Sequence, residues 1–290
     1  MSKILIAGAN SFVGKNYQRY SNNEAIEEVS LLEQEPEAIN YKGYDTILHL
    51  VAIVHQTKTI PESDYFHVNK ELAVRTAKAA KEAGVRQFVF LSTVKVYGSF
   101  NPEKGVWNEE SVCEPEDAYG KSKYAAEQAL KKLEDEHFTV SVIRTPLVYG
   151  QDVRANMLSL IKLVEKFPVL PLGKIKNKRS FTSAQNLVAF IDRIIEKKAS
   201  GVFIAKDEKD LSTTELVTLL SNYLDKKVRL IPIPKFLIAL SKKVYPKIFD
   251  RLYGSLFMDN KKTLKQLDFM PTLSVEEGLK KMIDAYKQKE

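Results

Sequence analysis

The sequence predicts an α/β protein: a doubly wound parallel sheet with a smaller, discontinuous C-terminal domain. Short β-branched runs alternate with helix-length segments from the first residues onward, which is the pattern of βαβ units. The runs at 4–7, 46–51, 88–91, 140–143 and 202–204 are apolar throughout, as in strands covered on both faces. After about Gly150 the alternation loosens, and Pro168, Pro171, Pro232, Pro234, Pro246 and Pro271 punctuate the chain. Because 202–204 still reads as a core strand, the expected division is 1–149 with 177–205 for the larger domain and 150–176 with 206–290 for the smaller. A length of 290 residues with 44% hydrophobic content suffices for a large core.

The first strand runs into Gly8-Ala9-Asn10-Ser11-Phe12-Val13-Gly14 and then a helix. In that context glycines let the backbone approach a pyrophosphate at a helix N-terminus, so the larger domain is expected to be a dinucleotide-binding Rossmann unit. Two glycines alone also make a mere tight turn; the position at the head of a βαβ series favours the ligand. The second strand is expected to end near Leu32-Glu33, where a carboxylate would accept hydrogen bonds from an adenosine ribose and repel a 2′-phosphate. Glu33 thus points to NAD, Lys15 beside the glycine turn points to NADP, and a solvated acid near Glu35 and Glu37 is the plain alternative. The third strand is 46–51, and the helix at 68–83 closes on Gly84. The strand at 88–91 leads to Ser92-Thr93 at the sheet edge where doubly wound folds form their crevice, placing Thr93 to hydrogen-bond a reacting oxygen.

Tyr119 and Lys123 follow the turn-like segment 114–117 and share one helical face at i and i+4. An ammonium beside a phenol favours phenolate, so the pair is suited to acid-base work, although the same spacing is common on helix surfaces. Farther on, Leu187, Phe190, Ile191, Ile194 and Ile195 form a helical apolar stripe.

Composition excludes other classes. Lys and Arg exceed Asp and Glu by 44 to 37, but they alternate with acids along helical stretches, and no nucleic-acid motif accompanies the net charge of +7. Cys113 is the single cysteine, so an intramolecular disulfide is impossible, and its polar connector suits an inert thiol. The chain shows no leader pattern, and apolar runs such as 235–240 are far too short to span a membrane, so a cytoplasmic location is expected. His49 and His55 lie nearest the expected cleft, His67 and His137 read as ordinary positions, and the spacing of the four predicts no metal site.

Glycine turn, strand-end Thr93 and Tyr-x-x-x-Lys together resemble the extended short-chain dehydrogenase/reductase superfamily, in its branch of nucleotide-sugar epimerases, dehydratases and reductases. The likeness covers nearly the whole chain. It implies a cofactor site of Gly8, Asn10, Ser11, Phe12, Val13, Gly14, Glu33, Leu50, Val51, Ala52, Asn69, Tyr119 and Lys123, filled by NAD or NADP with NAD favoured. It implies Thr93, Tyr119 and Lys123 as the catalytic set, and His55, Thr93, Val94, Lys95, Asn156, Arg179 and Arg251 as substrate contacts, the two arginines on a nucleotide diphosphate. It also implies a UDP-linked sugar bound by the smaller domain and a homodimer. The stretch 144–150 (RTPLVYG) matches the loop into the sugar site, and 267–271 with 274–279 matches a C-terminal signature. Ser11 departs from the usual glycine of the turn, and Val51 stands where alanine is frequent.

Among the reactions of that branch, dehydratases place Asp-Glu after the catalytic threonine, whereas this chain has Val94-Lys95. Base-driven 3,5-epimerisation calls for a cysteine at the Val94 position. The compact length, Lys95 and the stretch 251–256 resemble 4-reductases of UDP-4-keto-6-deoxy-N-acetylhexosamines, so NAD(P)H-dependent reduction of a C4 ketone is the expected reaction. A UDP-hexose or UDP-N-acetylhexosamine 4-epimerase with tightly held NAD is the alternative, and a non-catalytic dinucleotide-binding regulator a more distant one.

Overall fold

The computed structural model describes residues 2–54, 60–101, 105–234 and 246–289. Its centre is a six-stranded parallel sheet made of β1 (Ile4–Ala7), β2 (Ile26–Val29), β3 (Thr46–His49), β4 (Gln87–Thr93), β5 (Thr139–Thr145) and β9 (Gly201–Ile204). The order β2-β1-β3-β4-β5-β9 reverses direction between β1 and β3, so Ala7 and His49, which pair side by side, end at the topological switch point. Burial on both faces explains the unbroken apolar runs of β1, β3 and β4.

Helices α3 (Leu72–Glu82) and α4 (Ala118–Lys131) cover one face, where Ala73, Ala77, Ala80 and Ala126 allow close approach to Phe88, Phe90 and Val140. Helices α1 (Phe12–Tyr20) and α6 (Ala184–Glu196) cover the other, where the predicted stripe Leu187, Phe190, Ile191, Ile194 and Ile195 packs on Ile4, Ile6 and Val89. A further core gathers α5 (Ala155–Lys166), β7 (Val169–Gly173), α7 (Thr213–Tyr223) and the last helix, Val275–Lys287, around Ile161, Leu172, Leu220 and Leu279. Two-stranded pairs β6 (Leu147–Tyr149) with β8 (Phe181–Ser183), and β7 with β10 (Arg229–Pro232), flank it. Buried Asp207 joins these parts, accepting hydrogen bonds from Tyr149 Oη and Asn186 Nδ2, both at 2.7 Å, and from the Ser183 amide.

Two expectations about elements need correction. The second strand stops at Val29, because the amides of Gly8 and Ala9 both turn onto the Val29 carbonyl and end the ladder; Glu33 lies exposed, four residues further on. The helix predicted at 68–83 is present but starts earlier and is not uniform, running from α2 (Glu62–Phe66) through a π turn at His67–Glu71 into α3. The extra residue in that turn directs Asn69 inward, which 3.6-residue periodicity does not register.

Candidate active site

The glycine turn is built by close approach. Gly8 has φ +123°, and a Cβ there would lie 3.2 Å from the Val51 amide nitrogen, so only glycine lets the β1 and β3 ends converge. Asn10 takes the left-handed conformation at φ 60°, and its amide is 3.4 Å from the carboxylate of Glu28. Ser11 caps α1 by accepting from the Gly14 amide at 3.1 Å, and a Cβ on Gly14 would sit 2.7 Å from that hydroxyl. This is a tight helix N-terminus with Phe12 and Val13 in its first turn, beside Leu50, whose amide bonds to Ala7. Such a cradle suits a dinucleotide pyrophosphate. The carboxylate that reaches the turn belongs to Glu28, which the expected strand boundary hid.

Asn69 is fully buried and its amide is engaged within the protein: it accepts from Ile53 N at 2.8 Å and donates to Ile53 O and Ser122 Oγ, each at 3.0 Å. It therefore fastens the segment after Ala52 to α4. His55 lies outside the described residues.

Thr93, Tyr119 and Lys123 gather at the end of β4. Asp117 caps α4 through the Gly120 amide at 2.7 Å, which starts the helix so that Tyr119 and Lys123 face the end of β4. Tyr119 hydrogen-bonds Thr93, and its partial burial pushes the phenol up to about 12. Lys123 is buried, donates from Nζ to Leu91 O at 2.7 Å and lies 4.2 Å from the centre of the Phe90 ring. Burial pulls its ammonium down to about 7. Burial thus drives the two groups apart in proton affinity, the phenol upward and the ammonium downward, each toward its uncharged form.

Val94 is buried and untitratable, and Lys95 sits with Nζ 3.7 Å from Asp117 Oδ2. The turn Val94–Tyr97, which Thr93 caps by accepting from the Lys95 amide, is pressed against Gly120, where a Cβ would lie 2.7 Å from the Lys95 carbonyl.

Asn156, Arg179 and Arg251 also come together. Arg251 Nη1 lies 3.4 Å from Asn156 Oδ1, while the half-buried Arg179 guanidinium donates to the Gly254 carbonyl at 3.0 Å. Burial and the neighbouring charge of Arg251 lower the proton affinity of Arg179, the mark of two cations facing one space. A cavity of about 240 Å³ bordered by Lys174, Lys176, Asn177 and Tyr253 opens alongside. Sequence reasoning missed Glu127 as a member of the site's surroundings, and it placed His49 near the cleft without foreseeing its full burial. Glu127 repeats the four-residue spacing from Lys123 and was readable from it; the burial of His49 was not.

Residues 37–204 match the NAD dependent epimerase/dehydratase family. The chain is 37% identical over 256 residues to a UDP-glucose 4-epimerase of Vibrio cholerae, covering 85% of this chain and 78% of that protein. It is 27% identical to the N-acetyl-alpha-D-glucosaminyl-diphospho-ditrans,octacis-undecaprenol 4-epimerase of Escherichia coli O157:H7, over 80% of this chain and 75% of the relative. The crystal structure of the UDP-N-acetylglucosamine 4-epimerase from Bacillus cereus superposes with a TM-score of 0.80 at 19% identity, over 99% of this chain and all of that one.

Proposed function

The chain belongs to the NAD dependent epimerase/dehydratase family of nucleotide-sugar enzymes, and from that premise we propose that it is a 4-epimerase of a UDP-hexose or UDP-N-acetylhexosamine. The observation that carries this reading is the Thr93–Tyr119–Lys123 arrangement in a chain 37% identical to a UDP-glucose 4-epimerase. Ketone reduction, the reaction expected from the sequence, rested on the compact length, Lys95 and the stretch 251–256. In the structure Lys95 pairs with Asp117 and that stretch supplies Arg251 and Gly254 to the arginine pair, roles that serve either reaction. The named relatives tilt the balance to epimerisation.

In this proposal residues 1–149 with 177–205 hold NAD, the remainder holds the nucleotide sugar, and bound NAD supplies reversible hydride chemistry at C4. Gly8, the Ser11–Gly14 helix start and Leu50 to Ala52 bound the dinucleotide site. Tyr119 removes and returns the O4 proton, Thr93 orients O4, and Lys123 holds the ribose and favours the phenolate. Arg179, Arg251 and Asn156 take the diphosphate, leaving the sugar free to present either face of C4. Neither Val94 nor Lys95 offers the acid and base that dehydration needs.

The test is product identification by NMR after incubating the chain with UDP-glucose, UDP-N-acetylglucosamine or a UDP-4-keto sugar, with and without NADH. Interconversion of C4 epimers without NADH supports the proposal. Consumption of only the 4-keto sugar, with stoichiometric NADH, replaces it with the reductase.

A further inference from the structure

Glu127 stands one helical turn beyond Lys123 on α4, and both are buried, at 3% and 1% exposure. Its carboxylate accepts a hydrogen bond from the Ser92 hydroxyl and is gripped by Arg144 of β5, with Nη2 at 2.5 Å and Nε at 3.2 Å. Three residues spaced by four on α4 thus meet three consecutive residues of β4: Tyr119 meets Thr93, Lys123 meets Leu91 and Glu127 meets Ser92. A buried ion pair seldom stabilises more than apolar side chains of the same size would, so this placement directly behind Lys123 calls for a reason of its own.

The arrangement answers two needs of a buried ammonium. A nearby negative charge offsets the loss of water around Nζ. A free carboxylate at that place would, however, capture Nζ and draw it away from Leu91 and the cleft. Arg144 and Ser92 occupy the Glu127 oxygens, leaving its charge to act through space. We propose that Glu127, held by Arg144 and Ser92, is a positioning residue that keeps Lys123 charged and in place beside Tyr119. This rests on the reading of Tyr119 and Lys123 given above.

The other groups facing Lys123 are His49 from β3 and Tyr119 from its own helix; Asp117 borders Tyr119, while Tyr97 and Cys113 border Arg144. His49 is fully buried and neutral at working pH, so Glu127 is the compensating charge. Burial lowers Lys123, and Glu127 raises it. Without the Glu127 charge, and with Arg144 left uncompensated, Lys123 loses its proton at lower pH.

The experiment is calorimetry of NAD binding across pH on the full chain, comparing wild type, Glu127→Asp, Glu127→Gln and the double variant Glu127→Gln with Arg144→Gln. Affinity is expected to fall as pH rises through the Lys123 titration. That midpoint is expected to drop by about one pH unit in Glu127→Gln, less in the double variant, and to stay near wild type in Glu127→Asp. An unmoved midpoint in the folded variants, or a wild-type affinity that is flat between about pH 6 and 9, overturns the inference and leaves Glu127 as a purely structural tie. If Glu127→Gln does not fold because Arg144 is left unpaired, the double variant decides alone. Turnover of Tyr119→Phe, measured alongside, separates the two claims: an active Tyr119→Phe sinks the proton-transfer role, while the calorimetric midpoint still reports on Glu127.

Discussion

At the scale of single residues the chemistry reduces to buried polar groups and what surrounds them. Tyr119→Phe keeps the ring and its packing but loses the hydroxyl that meets Thr93. Turnover should fall by roughly 10²- to 10⁴-fold with NAD affinity nearly unchanged, which steady-state rates and calorimetry check together. His49 makes a second prediction. It is stacked between Phe88 and Phe90, at 5.6 and 5.9 Å between ring centres, with no hydrogen-bond partner among the described residues. Burial pulls its imidazole down to about 3. The unfolded chain therefore binds a proton that the folded one refuses, and stability is lost as pH falls from the ordinary histidine value toward 3. At pH 5 the loss is about 2 kcal/mol relative to neutral pH. In thermal melts His49→Phe should show a smaller acid-induced drop in Tm; equal drops would mean that His49 does not carry this acid sensitivity. Tyr119 and Lys123 were legible as neighbours because a helix brings i and i+4 together, and Thr93 from its place at a strand end, while their joint role came from the family resemblance. His49 was not, since its isolation depends on the two phenylalanines that β4 places beside it.

At the scale of elements, the site is a junction between α4 and the turn that follows β4. Gly120 makes the junction possible, and a methyl there would press on the Lys95 carbonyl at 2.7 Å and on Pro115 Cβ at 3.1 Å. Gly120→Ala gains helix propensity of up to about 1 kcal/mol but overpacks at a cost of roughly 1–3 kcal/mol. The expected outcome is a modestly lower denaturation midpoint and a clearly lower kcat, because α4 retreats and parts Tyr119 from Thr93. A variant as active as wild type would show that the junction tolerates movement. The sheet and its helices were readable from unbroken apolar runs and one amphipathic stripe. Element ends were less so: the end of β2 depends on where the glycine turn takes its hydrogen bonds, and the π turn at His67–Glu71 depends on Asn69 reaching Ile53 and Ser122. Tertiary hydrogen bonds set both, and local sequence does not encode them.

At the scale of the whole molecule, the proposal places proton transfer and diphosphate binding on separate parts of the chain. Arg179 and Arg251 lie far in sequence from Tyr119 and meet each other and Asn156 only in the folded chain. Arg179→Ala and Arg251→Ala should each raise KM for the nucleotide sugar more than they lower kcat, because they hold a group remote from C4. Unaltered UDP affinity in both variants, by calorimetry, would contradict the diphosphate role. The central claim is that C4 is oxidised and reduced within one catalytic cycle, without net reductant. The direct measurement supplies UDP-glucose deuterated at C4, with no added NADH, and follows both the NMR spectrum and the absorbance at about 340 nm that reports free reduced cofactor. The predicted result is conversion to the C4 epimer with deuterium retained at C4 and a flat absorbance. Failure to interconvert the epimers, together with NADH-dependent loss of a 4-keto sugar and falling absorbance, would contradict it.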